Sequence, residues 1–239
     1  MSGLKLACLY GLIPNLLGFC GPPQKKLKKF IKNKISVQDI IPVLEKFEAA
    51  FPYYQLIAQK NGIHNPFNKK VVEAYWLGNE LLEKITAKDL RQLIINKFSL
   101  PNLLSKKEAV EKAKKIPANS KPHHSFHVLI IGSITGRINL NNLKLQDICR
   151  IGWGKIIRVK KNRLLVSYNP LTKREKIIEL GQATNKEIIW DKDILPKIKT
   201  GDYVSFHWDY AIQKINKNNI SNLRYYTQNT LNSLYGKKY

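Results

Sequence analysis

The sequence has few acidic residues, few cysteines and no long apolar run. Its 239 residues include 17 Asp and Glu against 41 Lys and Arg, which gives a formal net charge of +24. Three cysteines cannot all pair, and none has CxxC spacing, which argues against a disulfide scaffold and favours a reducing compartment. No segment approaches the roughly 20 uninterrupted apolar residues that a membrane-spanning helix needs. We therefore predict a cytoplasmic protein with no membrane contact.

The positive charge has two explanations at this level. A field of this sign attracts polyanions, which favours nucleic acid or an acidic protein as a partner. Only seven of the basic residues are Arg, however, and Lys is accompanied by abundant Ile and Asn, a pattern that an AT-rich genome also produces. The hydrophobic fraction of 44% and the charged fraction of 24% are close to globular averages, so we expect a folded chain in either case.

Residues 24–117 have apolar side chains at three- and four-residue spacing, which predicts an all-α region. Pro52 is expected to end or kink the first long helix. Thr86 is a predicted N-cap, and Ser105 with Glu108 fits a capping box. The predicted helices cover residues 37–51, 54–61, 69–85, 87–98 and 105–115.

Beyond Pro117 the pattern changes to short runs of β-branched residues separated by Gly, Asn, Asp and Pro, which is typical of strands. Closing such short strands into a barrel removes exposed edges, so we predict a small barrel and a C-terminal helix. The fold class is then α+β, with a helical domain at 1–120, a connecting strand or loop at 121–146, and a barrel with its helix at 147–239. Predicted strands cover 126–131, 150–160, 163–168, 176–179, 187–190 and 203–215, with a tight turn at 161–162 and the final helix at 216–234.

No phosphate-binding glycine loop, dinucleotide fingerprint, nucleophile elbow or HExxH helix occurs. Three histidines fall within five residues, at His123, His124 and His127. On the predicted strand, His123 and His127 share one face and His124 points to the other. Such a cluster fits either metal ligation with a third ligand or a hydrogen-bonded polar start to the strand.

Two further stretches contain candidate site residues. The first 23 residues are apolar but lack a basic start and are broken by Gly, Pro and Asn, which argues against a signal peptide. The same residues favour unusual backbone geometry near the candidate pocket residues Tyr10 and Asn15, and a loop that places Cys20 beside Gly21. Cys20 is then either an accessible thiol or a small buried hydrophobe. On the predicted 69–85 helix, Glu73, Trp76 and Asn79 border either a pocket or an aromatic core with one satisfied acid.

Cys149 and His207 form a more specific pair. Cys149 directly precedes the first predicted barrel strand, and His207 lies in the last one. The first and last strands of a closed barrel can be neighbours, so the thiol and the imidazole can meet. Sulfur with nitrogen suits iron or zinc, and Cys with His also suits nucleophilic catalysis.

Two blocks of residues around this pair carry a resemblance to a known family. The first block is Cys149, Gly154, Lys155 and Ile156, and the second is Gly201, Tyr203, Val204, His207, Ala211, Ile212 and Ile215. Through the order and spacing of these blocks, residues 147–234 resemble the HypC/HupF family, the small chaperones of nickel–iron hydrogenase maturation. The family usually has proline at the position of Trp153, glycine at that of Asp209, and its cysteine at the N-terminus. The whole chain resembles an uncharacterised family of two-domain prokaryotic proteins.

The resemblance implies an OB-like barrel that carries an iron–dicyanide–carbonyl unit through Cys149, assisted by His207. It implies a HypD-like scaffold or a hydrogenase large-subunit precursor as the partner. The leading hypothesis is therefore a metallocofactor-maturation accessory protein that binds or relays iron, with Cys20, His123 and His127 as further candidate ligands.

Two alternatives remain open. One is an enzyme whose active site lies in the helical domain, with the barrel as a docking module. The other is a nucleic-acid-binding protein, which ranks last because its candidate stacking residues fit a packed barrel equally well. Those residues are Trp153, Trp190, Tyr203 and Trp208.

Overall fold

The computed structural model describes residues 1–22 and 25–236. Helices precede a mostly antiparallel set of strands, and a last helix follows, so the predicted α+β class is confirmed. The helices before the strands are α1 (Gly3–Leu16), α2 (Lys26–Ile31), α3 (Val37–Leu44), α4 (Ala50–Lys60), α5 (Lys69–Leu77), α6 (Ala87–Lys97), α7 (Lys106–Lys114), α8 (His124–Phe126) and α9 (Leu143–Cys149), with a 3-10 turn at Glu80–Leu82 and a π-helical turn at His127–Ile131.

Polar caps start several of these helices where the sequence predicts them. The Thr86 side chain accepts the backbone N–H of Asp89, whose carboxylate accepts the backbone N–H of Thr86 in return. Ser105 and Glu108 make the same reciprocal pair at α7. Each cap satisfies backbone donors that a helix start leaves open.

Two predicted helix boundaries are wrong. The predicted 37–51 helix is two helices, and Pro52 lies in the first turn of α4, where its missing N–H costs little. The predicted 69–85 helix ends at Leu77, because Gly78 adopts φ 83° as the C-cap. A Cβ at Gly78 would lie 2.1 Å from the Tyr226 ring. Both the positive φ and this close approach therefore require glycine.

Tyr10 and Asn15 belong to helix α1, whereas Cys20 and Gly21 lie in the turn that follows it. Pro14 lies inside this helix near its C-terminal end. Proline has no backbone N–H, so the carbonyl of Tyr10, four residues earlier, lacks its regular helical donor. This vacant acceptor becomes part of the site described below.

The predicted strand at 126–131 is helical. Helix α8 runs directly into the π-helical turn, and the backbone N–H of Gly132 donates to the His127 carbonyl. A short apolar run that is buried on several sides does not show whether it is strand or helix, because it lacks the alternation that separates the two.

The strands largely follow the predicted positions. The predicted strand at 163–168 is confirmed, as is the turn at Lys161 and Asn162. The predicted 203–215 strand is two strands, because Trp208 and Asp209 have φ values of 52° and 57° and form a two-residue turn. The elements are β1 (Gly152–Val159), β2 (Arg163–Tyr168), β3 (Leu171–Arg174), β4 (Ile177–Leu180), β5 (Thr184–Ile189), β6 (Tyr203–His207), β7 (Tyr210–Ile215) and α10 (Lys217–Leu234).

Five of these strands pair in a ring. The order is β1-β2-β5-β7-β6, and β6 pairs antiparallel with β1. The contact between β5 and β7 is parallel and consists of one pair, Ile189 with Tyr210. Strands β3 and β4 form a separate hairpin.

The helices and part of the strand region share a hydrophobic core, and most of the remaining buried strand residues form a second one. Ile151 and Trp153 from the β1 region, with Ile212 and Ile215 from β7, pack in the same buried cluster as helices α1 to α7. The predicted domain bounds at 120 and 147 stay a prediction. Across residues 1–22 and 25–236, no helix combines the length and the apolar character needed to cross a membrane.

Candidate metal centre

Three buried side chains from three elements meet next to this shared core. His124 starts α8, Cys149 ends α9 and His207 ends β6. One ligand atom from each residue lies within 4.8 Å of those of the other two. Their exposed fractions are 5%, 7% and 2%. The backbone N–H of Trp208 donates to the Ile148 carbonyl, which joins the two segments that contain Cys149 and His207.

His207 has one ring nitrogen engaged and one free. Its Nδ1 lies 2.7 Å from the carbonyl oxygen of Tyr10, and a carbonyl only accepts, so Nδ1 bears the proton. That carbonyl is the one left without a helical donor by Pro14. The buried Nε2 has no partner in hydrogen-bonding geometry among the described residues, although the Cys149 carbonyl lies near the ring. Its lone pair is therefore available to a ligand.

In His124 the roles of the two ring nitrogens are reversed. Its Nε2 lies 2.9 Å from the Cys149 carbonyl oxygen and must donate to it. The lone pair is then on Nδ1, which accepts the Tyr75 hydroxyl at 2.9 Å. Histidines that bind metals typically donate their other N–H to a carbonyl or carboxylate, which fixes the ring and its tautomer. Both histidines of the cluster have this partner.

Burial keeps the three groups neutral in the metal-free protein. Desolvation lowers the pKa of His207 to about 4, although the carbonyls of Tyr10 and Cys149 oppose the shift. It also lowers the pKa of His124 well below its usual value, and nearby His207 and His127 add to this effect. Desolvation raises the pKa of the Cys149 thiol well above its usual value, while the Trp208 indole opposes the rise. A cation would find two imidazole lone pairs and one thiol that must lose its proton.

This donor set suits a transition metal ion. One sulfur with two imidazole nitrogens fits zinc, copper or iron, whereas calcium and magnesium prefer oxygen. Three protein ligands with an open fourth position are typical of metal sites that exchange a small ligand. The residues present therefore fit a metal, although they do not select iron.

The cluster lies against a mainly apolar cavity of about 40 Å³, which is room for about three water-sized groups. Glu48 and Thr135 line it, together with aromatic rings. The walls come from both the helical region and the β6–β7 turn. The remaining wall residues include Trp76, Phe19, Ser133, Ile138, Leu140 and Trp208.

The further candidate ligands separate into two groups. Cys20 and His127 line the same cavity. His123 does not: its ring stacks on Tyr226 at 5.6 Å, and its Nδ1 caps α8 by accepting the Ser125 N–H. The predicted orientation of the three histidines was wrong because the segment is helical, so that His124 and His127, three residues apart, lie on one side. A helix prediction would have placed His124 on the same side as His127. The strand prediction placed it on the opposite face.

The other predicted pocket residues also divide. Trp76 lines the cavity, and the Tyr10 ring stacks on it at 4.9 Å. The Asn15 amide instead holds a turn by donating to the carbonyls of Cys20 and Pro22. Glu73 and Asn79 make structural contacts outside the cavity: Glu73 pairs with Lys69, and Asn79 caps the 3-10 turn.

The rings proposed as stacking platforms for nucleic acid are mostly covered. Trp153 and Trp190 are buried, and Trp208 lines the cavity. Of the four, Tyr203 is exposed, at 36%.

Fold and site together define an α+β protein with a buried His/Cys/His cluster beside a small cavity. The model of one family, described as "Family of unknown function (DUF6390)", matches residues 1–237, and the chain belongs to that family. No curated protein and no solved structure matches the chain.

Proposed function

We propose that the protein binds a transition metal ion through His124, Cys149 and His207, and that it acts as a metallocofactor accessory protein. The observation that supports this most directly is the pair of oriented histidines beside a thiol. Each imidazole donates one N–H to a backbone carbonyl, which leaves its other ring nitrogen as an acceptor, and one ligand atom of each of the three residues lies within 4.8 Å of the other two. A core that only needed to fill space would not be expected to bury two imidazoles and a thiol in this way.

Iron with small ligands is the proposed cargo. The proposal draws on the resemblance to the HypC/HupF family, whose essential cysteine and histidine correspond to Cys149 and His207. Two features of the site support it: these two residues lie in one cluster, and the adjacent cavity has room for small groups. A HypD-like scaffold or a hydrogenase large-subunit precursor is the proposed partner.

Metal titration of the purified protein tests the proposal. Under anaerobic, reducing conditions the wild type should bind about one Co²⁺ and show the charge-transfer absorption of a thiolate ligand. Cys149→Ala should lose that absorption, and His124→Ala and His207→Ala should weaken binding. Cys8→Ala and His64→Ala are matched controls, because Cys8 is buried away from the cavity and His64 is exposed. Equal binding by wild type and Cys149→Ala would refute the site.

The cargo is tested separately. Wild type and Cys149→Ala are loaded anaerobically with iron and compared by Mössbauer and infrared spectroscopy. The proposal expects a bound iron species in the wild type only. If both variants bind iron equally, or if neither binds any, the iron relay is wrong even where Co²⁺ binds.

A metal-dependent enzyme is the second candidate. It is favoured by the position of Cys20 and His127, which line the same cavity as the cluster. Its active site would then lie between the helices and the strands instead of within the helical domain alone. An open coordination position should admit a small anion, so azide should perturb the Co²⁺ spectrum. An unchanged spectrum at high azide would exclude turnover at the metal.

A further inference from the structure

Access to the cluster requires a path, because the three ligands are buried. The cavity borders all three ligands, and it has a second thiol, that of Cys20, on its wall. Cys20 is partly exposed, whereas Cys149 is buried. Among the described residues, the compact metal-binding group consists of His124, Cys149 and His207 and does not include Cys20. The thiol of Cys20 therefore shares the cavity without being a member of the cluster.

Resting on the metal site proposed above, we infer that Cys20 is a transfer ligand, which binds the incoming ion before it reaches His124, Cys149 and His207. His207, whose buried Nε2 has no partner in hydrogen-bonding geometry among the described residues, lines the same cavity and is part of the site that would receive the ion. In the transfer, the Cys20 thiol loses its proton as it binds the ion. It regains a proton when Cys149 binds the ion and releases its own. No oxidant or reductant is needed, since the exchange changes ligands and not oxidation states.

The position of Cys20 is held by contacts around its neighbour Gly21. The Gly21 N–H donates to Glu48 at 3.0 Å, and its carbonyl accepts from Arg137 at 3.1 Å. Arg137 also pairs with Glu48. These contacts place a carboxylate beside the thiol at the cavity wall. Burial raises the pKa of Cys20 to about 12, and Glu48 adds to the rise while Arg137 opposes it, whereas a cation at this point would favour the thiolate.

Gly21 allows the turn that brings Cys20 to the wall. Its φ is 69°, and a Cβ there would lie 2.7 Å from the Phe47 ring. Gly18 has φ 76°, so left-handed residues flank Phe19 and Cys20 on both sides. The sequence thus uses two glycines to direct the thiol toward the cavity.

Stopped-flow kinetics with Co²⁺ test the transfer role. Cys20→Ser and Cys20→Ala should bind Co²⁺ with nearly the equilibrium affinity of the wild type. Their rates of capture, and of release to a chelator, should both fall by about tenfold, which corresponds to roughly 1.4 kcal/mol on the barrier. Cys8→Ala removes a thiol outside the cavity and should keep wild-type rates. Circular dichroism and thermal melting confirm that each variant is folded.

Three outcomes would overturn the inference. Wild-type rates in both Cys20 variants would show that the thiol takes no part in transfer. A loss of equilibrium affinity as large as that of Cys149→Ala would show that Cys20 is a permanent ligand. If the wild type itself fails to bind Co²⁺, the proposed metal site is wrong, and this result is distinct from the other two.

Discussion

The Nδ1 of His207 lies 2.7 Å from the carbonyl oxygen of Tyr10, although 197 residues separate them in the chain. This bond joins the end of β6 to the middle of α1. It is possible because Pro14 supplies no N–H to the Tyr10 carbonyl within the helix. An apparent defect in the helix thus provides the acceptor that sets the tautomer of a candidate metal ligand.

Pro14→Ala tests this relationship. Alanine restores an N–H that competes for the Tyr10 carbonyl, so His207 should be held less firmly. We expect Co²⁺ affinity to fall by about 10–100-fold, the usual cost of losing an outer partner of a ligating histidine. Stability should not fall, because Pro inside a helix is unfavourable. Pro42→Ala in α3 restores an N–H away from the cavity and should leave affinity unchanged. Unaltered affinity in Pro14→Ala would separate the proline from the site.

Tyr75→Phe should have the opposite effect. The Tyr75 hydroxyl occupies the lone pair of His124 Nδ1, and an ion that binds there must displace it. Removing the hydroxyl removes this competition. Since a hydrogen bond contributes about 0.5–1.5 kcal/mol net, Co²⁺ should bind Tyr75→Phe roughly 2–10 times more tightly. Weaker binding, measured by chelator competition, would mean that Tyr75 supports the ligand instead of competing with the metal.

Metal binding should release a proton. Because burial lowers the pKa values of both histidines, they are already neutral near pH 7. The Cys149 thiol, with its raised pKa, is protonated and must lose its proton to bind. We expect about one proton per ion, with affinity rising about tenfold per pH unit between pH 6.5 and 8. Calorimetry in buffers of different ionisation enthalpy measures this number. A value near zero would exclude a thiolate ligand.

The local signals in the sequence predict much of this fold. Caps such as Ser105 with Glu108, and alternation in β2, depend on residues a few positions apart, so they can be recognised without knowing the tertiary structure. The segment at 126–131 could not be assigned, because its burial on several sides comes from contacts distant in the sequence. That error hid His124, since strand and helix direct the same side chain differently.

The proximity of Cys149 and His207 follows from strand order, though not in the form predicted. The first strand pairs with β6, and β6 is not the last strand, because the turn at Trp208 and Asp209 divides the predicted final strand in two. The bond between the Tyr10 carbonyl and His207 lay beyond prediction. It depends on the packing of α1 against the strands, which no pattern of neighbouring residues in the sequence indicates.

A buried ion pair stabilises the end of α9 that presents Cys149. Arg150, 1% exposed, pairs with Asp147 at 2.9 Å. Asp147 also accepts the Tyr168 hydroxyl and the Leu171 N–H. Asp147→Asn would leave the guanidinium buried without its counter-charge, which we expect to cost about 3–5 kcal/mol in urea unfolding. Glu187→Gln, which breaks an exposed pair with Lys160, should cost less than about 1 kcal/mol. Similar losses in the two variants would contradict a stabilising role for the buried pair.

Acid should unfold the metal-free protein through its buried histidines. The pKa values of His123 and His127 are lowered to about 3 and that of His207 to about 4, chiefly by desolvation, and His124 is also lowered. Below the unfolded pKa of about 6.5, the histidines of the unfolded chain bind protons that those of the folded chain do not bind. Stability is thus complete above pH 6.5 and falls toward pH 4 by about 1.4 kcal/mol per pH unit for each histidine.

Four such groups would remove about 8 kcal/mol by pH 5, which is comparable with a typical stability of about 5–15 kcal/mol. Urea titrations from pH 7.5 to 5 measure the slope of the unfolding free energy. His123→Asn retains a side chain that can cap α8, and it should lower the slope by about 1.4 kcal/mol per pH unit, the contribution of one proton. His64→Ala, at an exposed site, should leave the slope unchanged. The acids with lowered pKa values, such as Asp89, keep their charge in the folded chain throughout this range, so they contribute little to the slope. A flat profile between pH 6.5 and 5 would show that these imidazoles are not held neutral by the fold.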